Sequence, residues 1–192
     1  LLMKSLIDYK KLGETRDDAV GECFDKVARM LNLPYPGGPE IEKLAKSGNA
    51  SAINFPRPMI NQKNYDFSFS GLKTAVLYYL RDNPPEAKSY KLKANIAVSF
   101  EAAAFDVLII KTLRAAKEFK AKSILVSGGV AANRELVKQF NLQLKASGLR
   151  LFFSAAPKEF CTDNAAMIGA AGYINFLRNK NLRLFARGNL SI

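Results

Sequence analysis

The strongest constraint on the fold is an apolar strand that runs into two glycines and then a helix. Residues 124–126 are apolar, Gly128 and Gly129 follow after one serine, and Asn133 lies where a helical pattern begins. Paired glycines at such a junction let backbone N–H groups approach a phosphate or ribose, and the helix N-terminus adds partial positive charge. The spacing lacks the fuller fingerprint of a dinucleotide loop or P-loop. A ligand-binding turn and a tight connection capped by asparagine therefore both stay open.

The chain around this turn alternates strands with helices. We predict a strand over residues 123–126, a helix over 132–146, a strand over 149–154 and a helix over 162–177. Such alternation is typical of strands backed by helices in one layer. The sequence therefore predicts an α/β fold for residues 121–192.

Residues 1–120 are predicted to be mainly helical after a short β-hairpin. The hairpin strands are expected at 1–6 and 9–13, and helices at 17–32, 39–46, 71–80 and 91–119, with the prolines at 84–85 ending the third helix. Residues 15–18 offer side chains that cap the first helix. In the longest helix, an apolar stripe predicts one buried face, and Glu101, Lys111 and Lys117 are expected on its other sides.

Composition narrows the classes of function. Lys and Arg number 29 against 17 acids, so the formal charge of +12 favours a polyanionic partner such as RNA over a merely basic, well-solvated surface. The chain has no histidine, which excludes His-based triads and His-based zinc sites within it. No apolar run approaches the roughly 20 residues of a membrane span. We therefore expect a soluble, cytoplasmic protein in which Cys23 and Cys161 are free, buried thiols.

Four further positions suit ligand binding, and each has a structural alternative. Asp25 lies on the first helix, where an ion pair with Arg29 one turn later is the simpler explanation. Gly38 belongs to a loop stiffened by prolines, and Glu42 follows on the next helix, where its carboxylate could accept from ribose hydroxyls or be solvated. Asp163 is predicted to begin the last helix, where the helix dipole stabilises an acid. The same place, beyond the strand ends, is where α/β proteins bind ligands.

Five blocks of sequence complete the pattern, at residues 13–22 with 24–26, 35–39, 67–74, 127–135 and 161–167. Together, and in this order, they resemble the TsaD family, the tRNA threonylcarbamoyladenosine transferases formerly called glycoproteases or O-sialoglycoprotein endopeptidases. The resemblance covers essentially the whole chain and matches the later portion of a family member.

The resemblance implies an actin-like ATPase (ASKHA, RNase H-like) lobe with a substantial helical portion. Residues 1–192 would then form a C-terminal lobe, with 1–120 as its mainly helical portion and 121–192 as its nucleotide-binding portion. The implied reaction is transfer of threonylcarbamoyl from threonylcarbamoyl-AMP to N6 of adenosine 37 in tRNA, and no catalytic residue is assigned. The implied adenylate-binding residues are Asp25, Gly38, Glu42 and Asn133, with Gly128 and Gly129 in the turn.

The resemblance also implies one divalent metal, iron or zinc, with Asp163 as one ligand. The family's other metal ligands, two histidines and a tyrosine, and its first phosphate loop precede the matched region. We therefore expect an incomplete site, and a chain that does not catalyse transfer alone.

The implied partners are threonylcarbamoyl-AMP or ATP, tRNA, and TsaB-like and TsaE-like proteins. The alternatives are a partner-dependent nucleotide-binding module without catalysis and, less favoured, a glycoprotein metallopeptidase. Lys73 and the basic tail (Arg178, Lys180, Arg183, Arg187) stay open between RNA contact and solvent.

Overall fold

The computed structural model describes residues 1–84 and 89–178. Its elements in chain order are β1 (Leu2–Met3), β2 (Tyr9–Lys10), α1 (Val20–Met30), α2 (Gly37–Ala45), α3 (Ser70–Asp82), α4 (Tyr90–Glu118), β3 (Ser123–Val126), α5 (Arg134–Ala146), β4 (Phe152–Ala155) and α6 (Ala165–Leu177). The predicted mixture of helices and short strands is confirmed. Within the described ranges, no helix combines the length and apolarity needed to cross a bilayer. Pro85, Lys180, Arg183 and Arg187 lie outside the described residues.

Helix α4 is the centre of the hydrophobic core. It contacts α2, α3 and α5, and it therefore buries apolar side chains on more than one face. Phe100 meets the edge of Phe24 from α1 with ring centroids 4.8 Å apart, and Phe105 stacks on the same ring at 5.9 Å. Such aromatic pairs add roughly 0.5–1.5 kcal/mol beyond the apolar area that they bury. The pairs fix α1 against the middle of α4.

Two charged side chains of α4 are buried, so the prediction that they occupy its exposed sides is wrong. Glu101 is 3% exposed and Lys111 is 1% exposed, whereas Lys117 is exposed as expected. The Lys111 ammonium donates to the backbone oxygens of Met59 at 2.9 Å and Asp66 at 2.5 Å. Burial lowers the pKa of Lys111, and the two carbonyls replace the water that its charge would otherwise hold.

Two small sheets flank this helical core. Strands β1 and β2 form the predicted hairpin, although each strand is only two residues long. Strands β3 and β4 pair in parallel, from Ser123 opposite Phe152 to Val126 opposite Ala155, with α5 as the crossover between them. Strand β4 thus begins three residues after the predicted start at 149. Phe140 of α5 stacks on Phe153 with ring centroids 5.1 Å apart, and this contact holds the crossover helix on the sheet.

The acidic pair before α1 has a different role from the one predicted. Helix α1 begins after Ala19 without a side-chain cap. Asp17 instead accepts from the backbone N–H groups of Phe69 at 2.8 Å and Ser70 at 3.1 Å, at the start of α3. Burial acts to raise the pKa of Asp17, but hydrogen bonds from Ser68, Phe69 and Ser70 outweigh it and lower the pKa to about 2. Asp17 therefore joins two of the sequence blocks.

Asp18 strengthens the same junction. Its carboxylate forms ion pairs with Lys26 and Lys73, each at 2.7 Å. Lys73, whose role the sequence leaves open, thus has a structural partner. Cys23 and Cys161 are buried free thiols, as predicted, and burial raises the pKa of Cys23 to about 12.

Candidate functional site

The turn between β3 and α5 has the conformation that its glycines allow. Gly128 has a φ of +90°, a region that residues with side chains rarely adopt, and a Cβ placed on Gly128 or Gly129 would meet no atom within 4 Å. A short 3-10 turn, Gly129–Ala132, follows. The turn also lies close to α1, because a Cβ on Gly21 would be 3.5 Å from the side chain of Val130. One side of the turn is therefore packed and the other is open.

Asn133 is the N-cap of α5, just before the helix rather than inside it. Its Oδ1 accepts from the backbone N–H groups of Glu135 at 2.9 Å and Leu136 at 3.0 Å. Its Nδ2 donates to Oε1 of Glu101 at 2.8 Å. The asparagine is 7% exposed, and both acceptor positions of Oδ1 are occupied. The capping alternative is thus observed. Within the described residues, the second hydrogen on Nδ2 stays available to donate to a ligand.

Glu101 is a site residue that the sequence prediction missed. Burial raises its pKa to about 7, the hydrogen bond from Asn133 opposes the rise, and the carboxylates of Glu42 and Glu135 add to it. A signal for its burial was present, because Ala97 and Ala104 lie four residues before it and three after it. Glu101 therefore places a buried carboxyl on an otherwise apolar face of α4.

A cavity of about 410 Å³ lies between α2, α4 and α5, beside this carboxyl. Its polar lining includes Glu42, Lys46, Glu101, Arg134 and Glu135. Glu42 Oε1 accepts from the backbone N–H of Arg134 at 3.1 Å, which links α2 to the first residue of α5. The volume falls within the roughly 300–1,000 Å³ of small-molecule sites. The cavity can therefore hold a ligand of nucleoside size that meets carboxylates, cations and an amide.

Gly38 lies in the first turn of α2, so its predicted place in a loop is wrong. Asp25 supports this first turn. Its Oδ1 accepts from the backbone N–H of Gly37 at 2.8 Å. No ion pair between Asp25 and Arg29 is found within residues 1–84 and 89–178, so that alternative is wrong. A Cβ on Gly37 would lie 2.5 Å from the Ala28 Cβ, whereas one on Gly38 would meet nothing within 4 Å. Gly37 is thus required for close packing of α2 on α1, and Gly38 faces open space.

Asp163 lies apart from these groups. It precedes the N-cap Asn164 of α6 and is exposed, so the predicted helix start at 162 is three residues early. Among the described residues, no group of three or more His, Cys, Asp or Glu side chains is placed to hold a metal ion. The residues present therefore do not fit a complete metal site. The cavity lining does not include Asp163, which instead borders a separate shallow depression.

Known proteins resemble this chain over most of its length. The sequence model of the TsaD family, described as tRNA N6-adenosine threonylcarbamoyltransferase, matches residues 1–170. A protein of that name from Moorella thermoacetica is 54% identical over 167 residues, which are 87% of this chain and 48% of that protein. Its namesake from Thermosipho africanus is 50% identical over 177 residues, or 90% of this chain and 51% of that protein. The chain spans about half the length of these curated relatives. This chain belongs to the TsaD family.

Proposed function

We propose that this chain supplies the adenylate-binding part of an enzyme that transfers threonylcarbamoyl from threonylcarbamoyl-AMP to N6 of adenosine 37 in tRNA. The observation that carries the proposal is the cavity that Glu42 and Glu101 line, with Asn133 bonded to Glu101, in a chain of this family. The formal charge of +12 suits a tRNA partner. We further propose that residues 1–120 and 121–192 are the helical and nucleotide-binding portions of one actin-like (ASKHA) lobe.

The geometry suggests a role for each group around the adenylate. The open backbone of Gly128 and Gly129 would receive the phosphate, because nothing in the described structure covers that side of the turn. Glu42 would accept from ribose hydroxyls through the oxygen that Arg134 does not use. Gly38 would let the ligand approach the backbone of α2, and Asp25 would position the start of this helix through Gly37.

In the transfer itself, N6 of the tRNA adenosine would form a bond to the carbamoyl carbon. The bond between that carbon and the phosphate oxygen of the adenylate would break, N6 would lose a proton, and AMP would leave. Backbone N–H groups of the turn at Gly128 and Gly129 would stabilise the charge that develops on the leaving phosphate. This chain's contribution would be to bind and orient the adenylate.

A divalent metal, iron or zinc, would polarise oxygens of the adenylate when bound. We propose Asp163 as one of its ligands, because the chain belongs to the TsaD family and this carboxylate is exposed. One carboxylate does not make a site, so no step of the reaction is assigned to a metal in this chain. TsaB-like and TsaE-like proteins are the proposed protein partners.

A second candidate is a nucleotide-binding module that catalyses nothing by itself, which the half-length match to the curated relatives favours. The chain should be combined with tRNA, threonylcarbamoyl-AMP and Fe²⁺ or Zn²⁺, and the modified nucleoside measured by mass spectrometry. We expect none from the chain alone, and product when the half of the Moorella thermoacetica protein that this chain does not match is added as a separate polypeptide. Product from the chain alone would overturn the proposal that this chain only binds and orients the adenylate. A failure to bind AMP would overturn the proposed function.

A further inference from the structure

The buried carboxyl of Glu101 has one oxygen in use and one open. Oε1 accepts from Asn133 Nδ2 at 2.8 Å. No group in residues 1–84 and 89–178 donates to Oε2, and Oε2 is not among their fully enclosed, unpaired polar atoms. Glu101 lines the cavity between α2, α4 and α5. A polar side chain that is 97% buried and keeps an oxygen open to a cavity is arranged to meet a ligand.

The surroundings of Glu101 disfavour its negative charge. The other charged groups that line the cavity are Glu42 of α2, Lys46 directly after α2, Arg134 and Glu135 of α5, and Asp106 of α4 itself. Asp106 is paired with Arg57 at 3.0 Å. Burial, together with the charges of Glu42 and Glu135, raises the pKa of Glu101 to about 7. Near neutral pH, a large share of the molecules therefore carry Glu101 as a neutral carboxylic acid.

We propose that Glu101 contacts the base of the bound nucleotide, with the protonated carboxyl donating from Oε2 to a ring nitrogen of adenine while Oε1 fixes the Asn133 amide. The inference rests on the proposed function, because it takes the ligand to be an adenine nucleotide. A neutral carboxyl has one O–H donor, and the ring nitrogens of adenine are acceptors. Ionisation removes that donor and adds a charge to a wall that already holds three other acids. Glu101 thus couples binding of the base to pH.

The test is calorimetric binding of adenosine at pH 6, 7 and 8. Adenosine has no phosphate, so no ligand group changes its charge over this range, and the chain has no histidine, the side chain that ordinarily titrates near neutrality. If only the protonated form binds, the affinity of the unaltered chain falls by about tenfold between pH 6 and pH 8, in proportion to the competent fraction.

Glu101→Gln separates the two roles of the carboxyl. The amide oxygen must still accept from Asn133, so the amide nitrogen faces the cavity and offers an N–H donor at every pH. This variant should bind adenosine equally well at pH 6 and pH 8. Glu159→Gln is the matched control, because it removes one exposed carboxylate outside the cavity, and it should keep the pH dependence.

Each outcome decides between the proposals. A pH-independent affinity in the unaltered chain, or the same pH profile in Glu101→Gln, would overturn the inference about Glu101. AMP is titrated in parallel at pH 6. If AMP binds and adenosine does not, the cavity does not recognise the adenine base, and the inference about Glu101 also fails. If neither binds, it is the proposed function that fails. Circular dichroism verifies that Glu101→Gln is folded, and the profile of the unaltered chain stands as a test without any variant.

Discussion

Replacing Glu101 by glutamine is expected to stabilise the folded chain at pH 8. Burial raises the pKa of this carboxyl from 4.5 to about 7, so the folded state holds a proton that the unfolded state releases. The stability of the unaltered chain therefore falls as the pH rises from about 4.5 through 7, and then levels off. At roughly 1.4 kcal/mol per pH unit, ionisation of Glu101 lowers the free energy of unfolding at pH 8 by about 3 kcal/mol relative to low pH. Glutamine keeps the bond to Asn133 without carrying a charge.

Urea unfolding followed by circular dichroism at pH 5, 6, 7 and 8 measures this difference. The gain in unfolding free energy of Glu101→Gln over the unaltered chain should be largest at pH 8 and shrink towards zero near pH 5. Glu159→Gln should show no such trend, because its side chain is exposed. A gain that does not change with pH, or a variant less stable than the unaltered chain at pH 8, would refute the reasoning.

Four other substitutions test the packing by chemical or thermal unfolding, and the last of them also by AMP titration. Asp17→Ala should lower the free energy of unfolding by about 1–2 kcal/mol, because it removes the carboxylate that accepts from the backbone N–H groups of Phe69 and Ser70. An unchanged stability would contradict that role. Phe100→Ala should lower the free energy of unfolding by about 3–5 kcal/mol, because it leaves a cavity in the core. A loss below about 1 kcal/mol would show that α4 is not the centre of the hydrophobic core. Gly37→Ala should destabilise through its clash with α1, whereas Gly38→Ala should leave stability unchanged and weaken only AMP binding.

Elements whose signal is local were predictable from the sequence. Helix α4, predicted over 91–119, is observed at Tyr90–Glu118, because a long apolar stripe fixes both the period and the length. Strand β3 is found at the predicted residues, because a short apolar run before paired glycines leaves few alternatives. The hairpin was predicted in the right place but with strands that are too long, since only two residue pairs meet.

Contacts between distant parts of the chain were not predictable in the same way. Asp17 was assigned to the nearest helix, but its partners lie about fifty residues later, at the start of α3. Lys111 has a polar side chain that suggests exposure, and only the arrangement of loops around α4 decides its burial. Helix α6, predicted over 162–177, has no buried residue in the described structure.

The backbone setting of two predicted site residues could be anticipated from the sequence. Gly128 has the positive φ that the turn needs, and Asn133 lies at the start of α5 as its N-cap. The partner that fixes Asn133 was missed because it comes from α4, about thirty residues earlier. The adenylate roles of Asp25, Gly38, Glu42, Asn133, Gly128 and Gly129, and the metal role of Asp163, stay predictions.

The central claim is that the cavity beside Asn133 binds an adenylate, and titration of AMP into the chain and into Glu42→Gln tests it most directly. Glutamine at position 42 keeps an oxygen for the backbone of Arg134 but loses the charge proposed to hold the ribose. A charged hydrogen bond contributes about 1.5–3 kcal/mol, so we expect AMP to bind the unaltered chain and to bind the variant at least tenfold more weakly. No binding to the unaltered chain, or equal affinity for both, would contradict the claim.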